Sequence, residues 1–383
     1  MKAKRLSQLI SVVMGLVLVM SLFSGCGKDE ATVEEKTDEI ITTDESEVTD
    51  SAAKVDDDIV IGISLGTSRE ERWQREIVMF EDYAEKMGVT VVIQSAEDEV
   101  TNQMSQCENL IAQGIDVLIV QALDSEAAGS IVEIAHEAGV PVIAYDRLVR
   151  NGDLDYYVTF DSEKVGEVEA TFVVSKAPKG NYIWLKGGPE DFNAHLVYKG
   201  QQNILQPYID SGDITIVLEQ WCKGWDPKEA LKHAENGLTL ADNDIQAIIA
   251  SNDGTAGGAI QALAAQGLDG IVPIAGQDAD LAACQRIVEG SQTGTVYKPL
   301  LKLNTAAMDI AMILAKDQDV KSTMDSSLGV WNLLDNGTKE VETFWVDVVA
   351  VDKDNIDEII IDSGFHALED VYINVPKDQW PNN

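Results

Sequence analysis

Polar and aromatic residues recur just after short apolar runs in this chain. Arg69, Arg72 and Trp73 follow Ile59–Ser64, Asp146 and Arg147 follow Val142–Tyr145, and Asp191 and Asn193 follow Asn181–Leu185. Trp221 and Trp225 follow Ile214–Gln220, and Asn252 and Asp253 follow Ala247–Ala250. Gln277, Asp278 and Asp280 follow Val272–Ala275, and Lys298 follows Gly294–Tyr297. Carboxylates accept hydrogen bonds, the forked guanidinium donates them, and amides do both. A hydroxyl also donates and accepts, so such a set can hold vicinal hydroxyls from opposite sides. Tryptophan faces suit the apolar C–H faces of a ring. The combination therefore suits a sugar. Taken singly, each residue has an ordinary role: Asp or Asn caps a helix, and Arg or Trp packs. The argument rests on recurrence across many segment ends.

These residues need elements to position them. The apolar runs, with Val89–Gln94, Val117–Gln121 and Tyr156–Phe160, read as strands. Between most of them lie stretches of helical periodicity: Arg72–Lys86, Asn102–Gln113, Glu126–Ala138, Glu163–Val174 and Pro227–Leu240. Alternation of continuous apolar strands with helices predicts an α/β fold with parallel sheets covered on both faces. The stretch from residue 59 to 383 is too long for one small core and suits two lobes. In such sheets ligands bind beyond the carboxyl ends of the strands, where the residues above lie.

Longer motifs add a resemblance. Glu71-Arg72-Trp73-Gln74, Gln103-Met104-Ser105-Gln106, Ala144-Tyr145-Asp146-Arg147 and the run from Phe160 to Glu167 resemble bacterial D-xylose-binding proteins, within the ribose/galactose-type periplasmic sugar-binding family. So do the runs Ala250 to Gln266, Gly276 to Leu281, Thr295 to Pro299, and Gly364-Phe365-His366. The similarity extends from about Ile59 to about His366. It implies two Rossmann-like lobes joined by a three-crossing hinge and closing on sugar. It implies a first lobe of residues 59–163 plus about 297–330, and a second of about 164–296 plus about 331–383. It also implies polar ligand contacts from Arg72, Asp146, Arg147, Asn193, Asn252, Asp278 and Lys298, stacking by Trp73 and Trp225, and a further polar position at Asp191. The expected ligand is D-xylose or a related aldose. The expected partners are an ABC permease with its ATPase, or a sensor kinase or chemoreceptor reading the same closed form. Two departures fall at the expected pocket rim: Phe192 stands where xylose binders have Asn, and the loop Ser64–Ser68 replaces a more acidic segment. Cys222 after Trp221 is also unusual and reads as a packing change.

The N-terminus reads as an address. Lys2, Lys4 and Arg5 precede an apolar core, Leu9 to Phe23, too short for a comfortable permanent span. Leu22-Phe23-Ser24-Gly25-Cys26 resembles the lipobox of bacterial lipoproteins, which implies cleavage of residues 1–25 and lipidation of Cys26. The expected location is thus the extracytoplasmic face of a membrane, on a Gram-positive surface. Residues 28–58 hold thirteen Asp or Glu against three Lys, with no aromatic residue, Gly or Pro. Residues 26–58 are therefore expected to form a disordered acidic tether reaching on the order of 30 Å.

Other classes are disfavoured. A net charge of −38 repels nucleic acid. No Gly-x-x-x-x-Gly-Lys-Ser/Thr is present, so a partner must supply ATP-derived energy. Cys107, Cys222 and Cys284 are odd in number, form no disulfide framework and show no Cys-x-x-Cys spacing; they read as three buried thiols, with one disulfide plus a free thiol as the alternative. His136, His195, His233 and His366 show no metal-ligand spacing, and no metal or cofactor is expected. Asp146 and Asp278 could be cast as a glycosidase pair. Arg72, Arg147 and Lys298 beside them would depress their pKa values and remove the general acid, which favours a binding protein over an enzyme.

Overall fold

The computed structural model describes residues 59–381; the expected export signal, Cys26 and the expected acidic tether lie outside them. Two sheets form the lobes. The first joins β1 (Val60–Leu65), β2 (Thr90–Ser95), β3 (Val117–Gln121), β4 (Val142–Tyr145) and β5 (Tyr156–Phe160) in the order β5-β4-β3-β1-β2. All these pairs are parallel, as the apolar runs predict. The second contains β6 (Gly180–Lys186), β7 (Ile214–Trp221), β8 (Ala247–Ile249), β9 (Ile274–Ala275) and β10 (Gly294–Tyr297). Its order is β10-β9-β8-β6-β7, again parallel.

Three further strands follow where the sequence reading placed none. β11 (Val330–Asp335) and β12 (Glu340–Val346) form an antiparallel hairpin, and β12 adds in parallel to β5 in the first sheet. β13 (Val349–Asp352) then pairs antiparallel with β10 in the second. This corrects the expected boundary at residue 331: the first lobe keeps the chain through Val346. The reason is local. Val330 and Leu333 are exposed on an edge strand, so no apolar alternation marks β11. The signal available was the Asn336-Gly337 turn, with Gly337 at φ 90 and Asn336 Oδ1 accepting the Thr338 and Lys339 amides, each at 3.0 Å. The chain crosses between lobes after Phe160, after Tyr297 and after Val346.

Helices α1 (Glu71–Met87), α2 (Val100–Ala112) and α3 (Gly129–Glu137) cover the first sheet with α9 (Leu300–Ala315) and the short α10 (Val320–Thr323). Helices α4 (Ser162–Lys176), α5 (Phe192–Asp210), α6 (Pro227–Leu240), α7 (Asp253–Ala265), α8 (Leu281–Glu289) and α11 (Leu368–Val371) belong to the second lobe. Helix starts are fixed by side-chain caps: Asp161 accepts from Lys164 N, Asp191 from Asn193 N, and Asp226 from Lys228 N just before Pro227. Helices α4 and α5 touch backbone to backbone. A Cβ on Gly166 would lie 1.9 Å from Val197 O, and one on Gly200 1.9 Å from Glu163 O. Cys107, Cys222 and Cys284 are buried free thiols.

Candidate ligand-binding site

The strand ends of both lobes meet in a cavity. Its walls carry Arg72 and Trp73 from the first turn of α1, Asp146 and Arg147 after β4, and Ser162 opening α4. Asp191 and Asn193 arrive at the start of α5, Trp225 after β7, Asn252 after β8, Gln277 and Asp278 after β9, and Lys298 after β10. All ten residues expected from the sequence come together here, and each is at least nine-tenths buried.

Arg72 organises one side. Its Nε and Nη2 donate to Glu76 Oε1 at 2.9 and 2.8 Å, and Nη2 also reaches Asp146 Oδ2 at 2.8 Å. Glu76 sits one helical turn behind, fully buried, and its other oxygen accepts from Tyr145 OH. Across the cleft, Arg72 Nη1 lies 3.5 Å from Asp278 Oδ1, which Lys298 Nζ approaches to 3.0 Å. The guanidinium stands over the Trp73 ring, 4.1 Å from its centroid. A second cluster spans the lobes opposite. Arg147 Nε pairs with Asp191 Oδ2 at 2.9 Å, and Trp225 Nε1 donates to the same oxygen at 3.2 Å. Asn193 Nδ2 donates to Asp146 O at 2.7 Å, and Asn193 Oδ1 accepts from Tyr157 OH at 3.0 Å. At the rim, Arg69 donates to Gly224 O of the other lobe.

The backbone is strained where the site needs it. Asp146 has φ 59, Trp225 φ 55 and Asp278 φ 97, a region L-residues seldom occupy. The strain is held by tertiary bonds: Asp146 N donates to Val158 O at 2.8 Å, and Asp278 N to Val296 O at 2.9 Å. Trp225 lies on bare backbone, since a Cβ on Gly187 would fall 2.4 Å from its ring.

Electrostatics differ among the buried carboxyls. Burial alone would push the Asp146 carboxyl up, but Arg72, Lys298 and Arg147 together hold it below the usual range. Burial pushes Glu76 and Asp191 up, against Arg72 and Arg147 respectively. Gln277 and Glu70, both in the cavity wall, each bury an acceptor, Oε1 and Oε2, without a hydrogen-bond donor in the protein, among the described residues. Buried acceptors of this kind suit ligand hydroxyls. Arrays of donors, acceptors and indole faces drawn from two lobes can grip a polyol by closing on it.

Residues 61–319 match the periplasmic binding protein domain family. The chain belongs to that family. It is 47% identical over 315 residues to the D-xylose-binding periplasmic protein of Haemophilus influenzae, covering 82% of this chain and 92% of that one. It is 45% identical over 309 residues to the D-xylose-binding periplasmic protein of Escherichia coli, covering 81% and 91%. A carbohydrate transporter solute-binding protein from Chloroflexus aurantiacus, solved in complex with D-glucose, superposes with a TM-score of 0.74 at 35% identity, covering 81% of this chain and 97% of that one.

Set against this periplasmic binding protein's geometry, some expectations change. Phe192 does not line the cavity. Its backbone N–H donates to Ser125 Oγ at 3.0 Å, and its ring packs on the first lobe beneath Arg150, 4.6 Å from the guanidinium carbon. Ser64–Ser68 is likewise absent from the walls; Ser64 is buried against Gln103. Trp221 packs with His195 and Tyr198 outside the cavity. Asn252 both lines the cavity and caps α7 through Thr255. Residues beyond the expected ten are Glu70, Ser162, Val197 and Gln277 in the walls, with Glu76 behind Arg72. Gln277 was visible as a strand-end residue, and Glu76 as the i+4 partner of Arg72. Val197 carries no polar signal, because helix α5 delivers it only after folding.

Proposed function

We propose that this periplasmic binding protein captures D-xylose outside the cytoplasm and presents it, closed between its lobes, to an ABC importer. The observation that carries this reading is the cavity wall: Arg72, Asp146 and Arg147 of the first lobe face Asp191, Asn252 and Asp278 of the second, with Lys298 on the crossing between them, so a single small polyol meets both lobes at once. The identity of 45–47% to relatives named for D-xylose supports the pentose, and the glucose-bound neighbour supports an aldopyranose more broadly. Calorimetric titration with D-xylose, D-glucose and D-ribose tests it, and absence of D-xylose binding at millimolar concentration would remove the pentose assignment.

A binding role is favoured over hydrolysis. Glycoside cleavage needs a carboxylic acid kept protonated, and Asp146 is held charged by its three cations. Release of aryl alcohol from aryl xylosides would overturn this. Anchoring through lipidated Cys26 belongs to the same proposal, and mass spectrometry of the mature N-terminus decides it. Pull-down of membrane proteins with and without D-xylose separates delivery to a permease from signalling to a kinase.

A further inference from the structure

Gly364, Phe365 and His366 form one of the sequence motifs, yet they line no part of the cavity. They take part instead in a second set of contacts between the lobes, gathered on α1. Glu71 and Arg75 lie one turn apart on that helix, beside Arg72, with Arg75 donating to Glu71 Oε1 at 2.7 and 3.0 Å. Glu71 Oε2 accepts the Leu281 backbone N–H of the second lobe at 3.1 Å. Arg75 Nη1 donates to Phe365 O at 2.9 Å, and Nη2 lies 2.9 Å from His366 Nδ1. The same guanidinium stands over the Phe365 ring, 4.8 Å from its centroid. On its far side, His366 Nε2 lies 2.8 Å from Ala279 O. That carbonyl belongs to the strained turn that aims Asp278, with φ 97 at Asp278 and φ 53 at Ala279.

The partners fix the tautomer. A carbonyl only accepts, so Nε2 carries the proton; a guanidinium only donates, so Nδ1 is bare. An imidazolium would turn an N–H and a second positive charge against Arg75. We infer that Gly364–His366 is an interlobe clasp, and that neutral His366 is a positioning residue linking α1 to the Asp278 turn in the closed form. The inference rests on reading the cavity as a sugar site.

The clasp makes sugar binding depend on pH. Burial lowers the His366 pKa and Arg75 acts in the same direction. The bond to Ala279 and the carboxylates of Glu71 on α1 and Asp370 on α11 act against them, and the balance is downward. With the lobes apart the ring loses Arg75 and part of its burial, the two influences that lower its pKa, so the pKa rises. A ring whose pKa falls on closure opposes closure once pH drops below the open-form value, so acid weakens binding. Asp280, next to Glu71, and Asp253 are pushed up by burial and contribute with the opposite sign. The histidine effect is therefore the difference between wild type and a non-titrating variant.

Calorimetric D-xylose affinities at pH 7.5 and 5.5, for wild type, His366→Ala and His366→Gln, test the clasp. At pH 7.5, His366→Ala binds about three- to tenfold more weakly than wild type, the size of a lost hydrogen bond or two. Glutamine can accept from Arg75 and donate to Ala279 O without titrating, so His366→Gln recovers part of that loss. Between the two pH values, wild type loses about three- to tenfold more affinity than His366→Gln. Equal pH dependence in wild type and the Gln variant, or wild-type affinity in the Ala variant at pH 7.5, overturns the clasp. Failure of wild type to bind D-xylose would fail the pentose reading alone, and the same comparison with D-glucose would then decide the clasp.

Discussion

Arg147 and Asp191 show why single residues in this cavity carry so much. Each is nearly sealed from solvent, and each faces the other across the lobe boundary at 2.9 Å. Removing Asp191 leaves Arg147 buried without its counter-charge, and removing Arg147 leaves the Asp191 carboxyl buried without the cation that offsets its burial. Arg147→Ala and Asp278→Ala are each expected to weaken D-xylose binding by about 2–5 kcal/mol while the protein still folds, read by calorimetry alongside circular dichroism. Near-native affinity in Asp278→Ala would mean that the sugar binds elsewhere. Gly187 tests packing without touching a charge. Because an added Cβ would fall 2.4 Å from the Trp225 ring, Gly187→Ala should tilt that wall and cost about 1–3 kcal/mol of affinity. Trp fluorescence shifted in the sugar-free variant would report the moved ring.

Elements deliver these residues through their ends. Asn252 serves two masters: its side chain caps α7 by accepting from Thr255 N at 2.8 Å, and it lines the cavity. Asn252→Ala should therefore lose about 1 kcal/mol of stability along with affinity. Asn252→Asp keeps a good cap but adds a charge to the wall, so affinity should fall while the melting temperature changes less. Equal loss of stability in both variants would show that the cap is not what Asn252 contributes. At the β11–β12 turn, buried Asn336 donates to Val149 O at 3.1 Å and Gly152 O at 2.9 Å. Those bonds tie the hairpin to the loop between β4 and β5. Asn336→Ala should cost about 1–3 kcal/mol in denaturant unfolding, with D-xylose affinity little changed, since the turn is absent from the cavity wall.

At the scale of the whole molecule, a ligand bridging both lobes is expected to couple its binding to their closure. A ligand held by both lobes stabilises the closed fold by about 4 kcal/mol at a thousand times its dissociation constant. For a folded part of this size, that is a melting shift of about 6 °C. Specificity belongs to this scale too. D-glucose matches every ring hydroxyl of D-xylose and adds only a hydroxymethyl group at C5, so the polar residues cannot separate them. Discrimination must be steric, and it falls to Trp73 and Trp225, the indole walls, with Phe192 packed elsewhere. Closing over the extra atoms costs about 1–3 kcal/mol, so D-glucose should bind roughly ten- to two-hundred-fold more weakly. Equal affinity for both sugars in parallel titrations would make this a broader aldose receptor.

Sequence determined the alternation of strand and helix and the parallel sheets, because apolar runs set strands locally. Polar residues at their carboxyl ends marked where a site could lie, but the family resemblance narrowed them to the ten that line the wall, since strand ends also carry Trp221, Asp253 and Asp280 outside it. Tertiary structure alone decided three other matters. The first is which lobe keeps the hairpin of residues 330–346, because an edge strand with exposed Val330 and Leu333 carries no buried face to read. The second is where Phe192 points. A helix start fixes its position, but Ser125 and Arg150, distant in sequence, fix its direction. The third is the pairing of Arg75 with His366, separated by 291 residues. No periodicity encodes such a contact; it exists only once both lobes have folded and closed on each other.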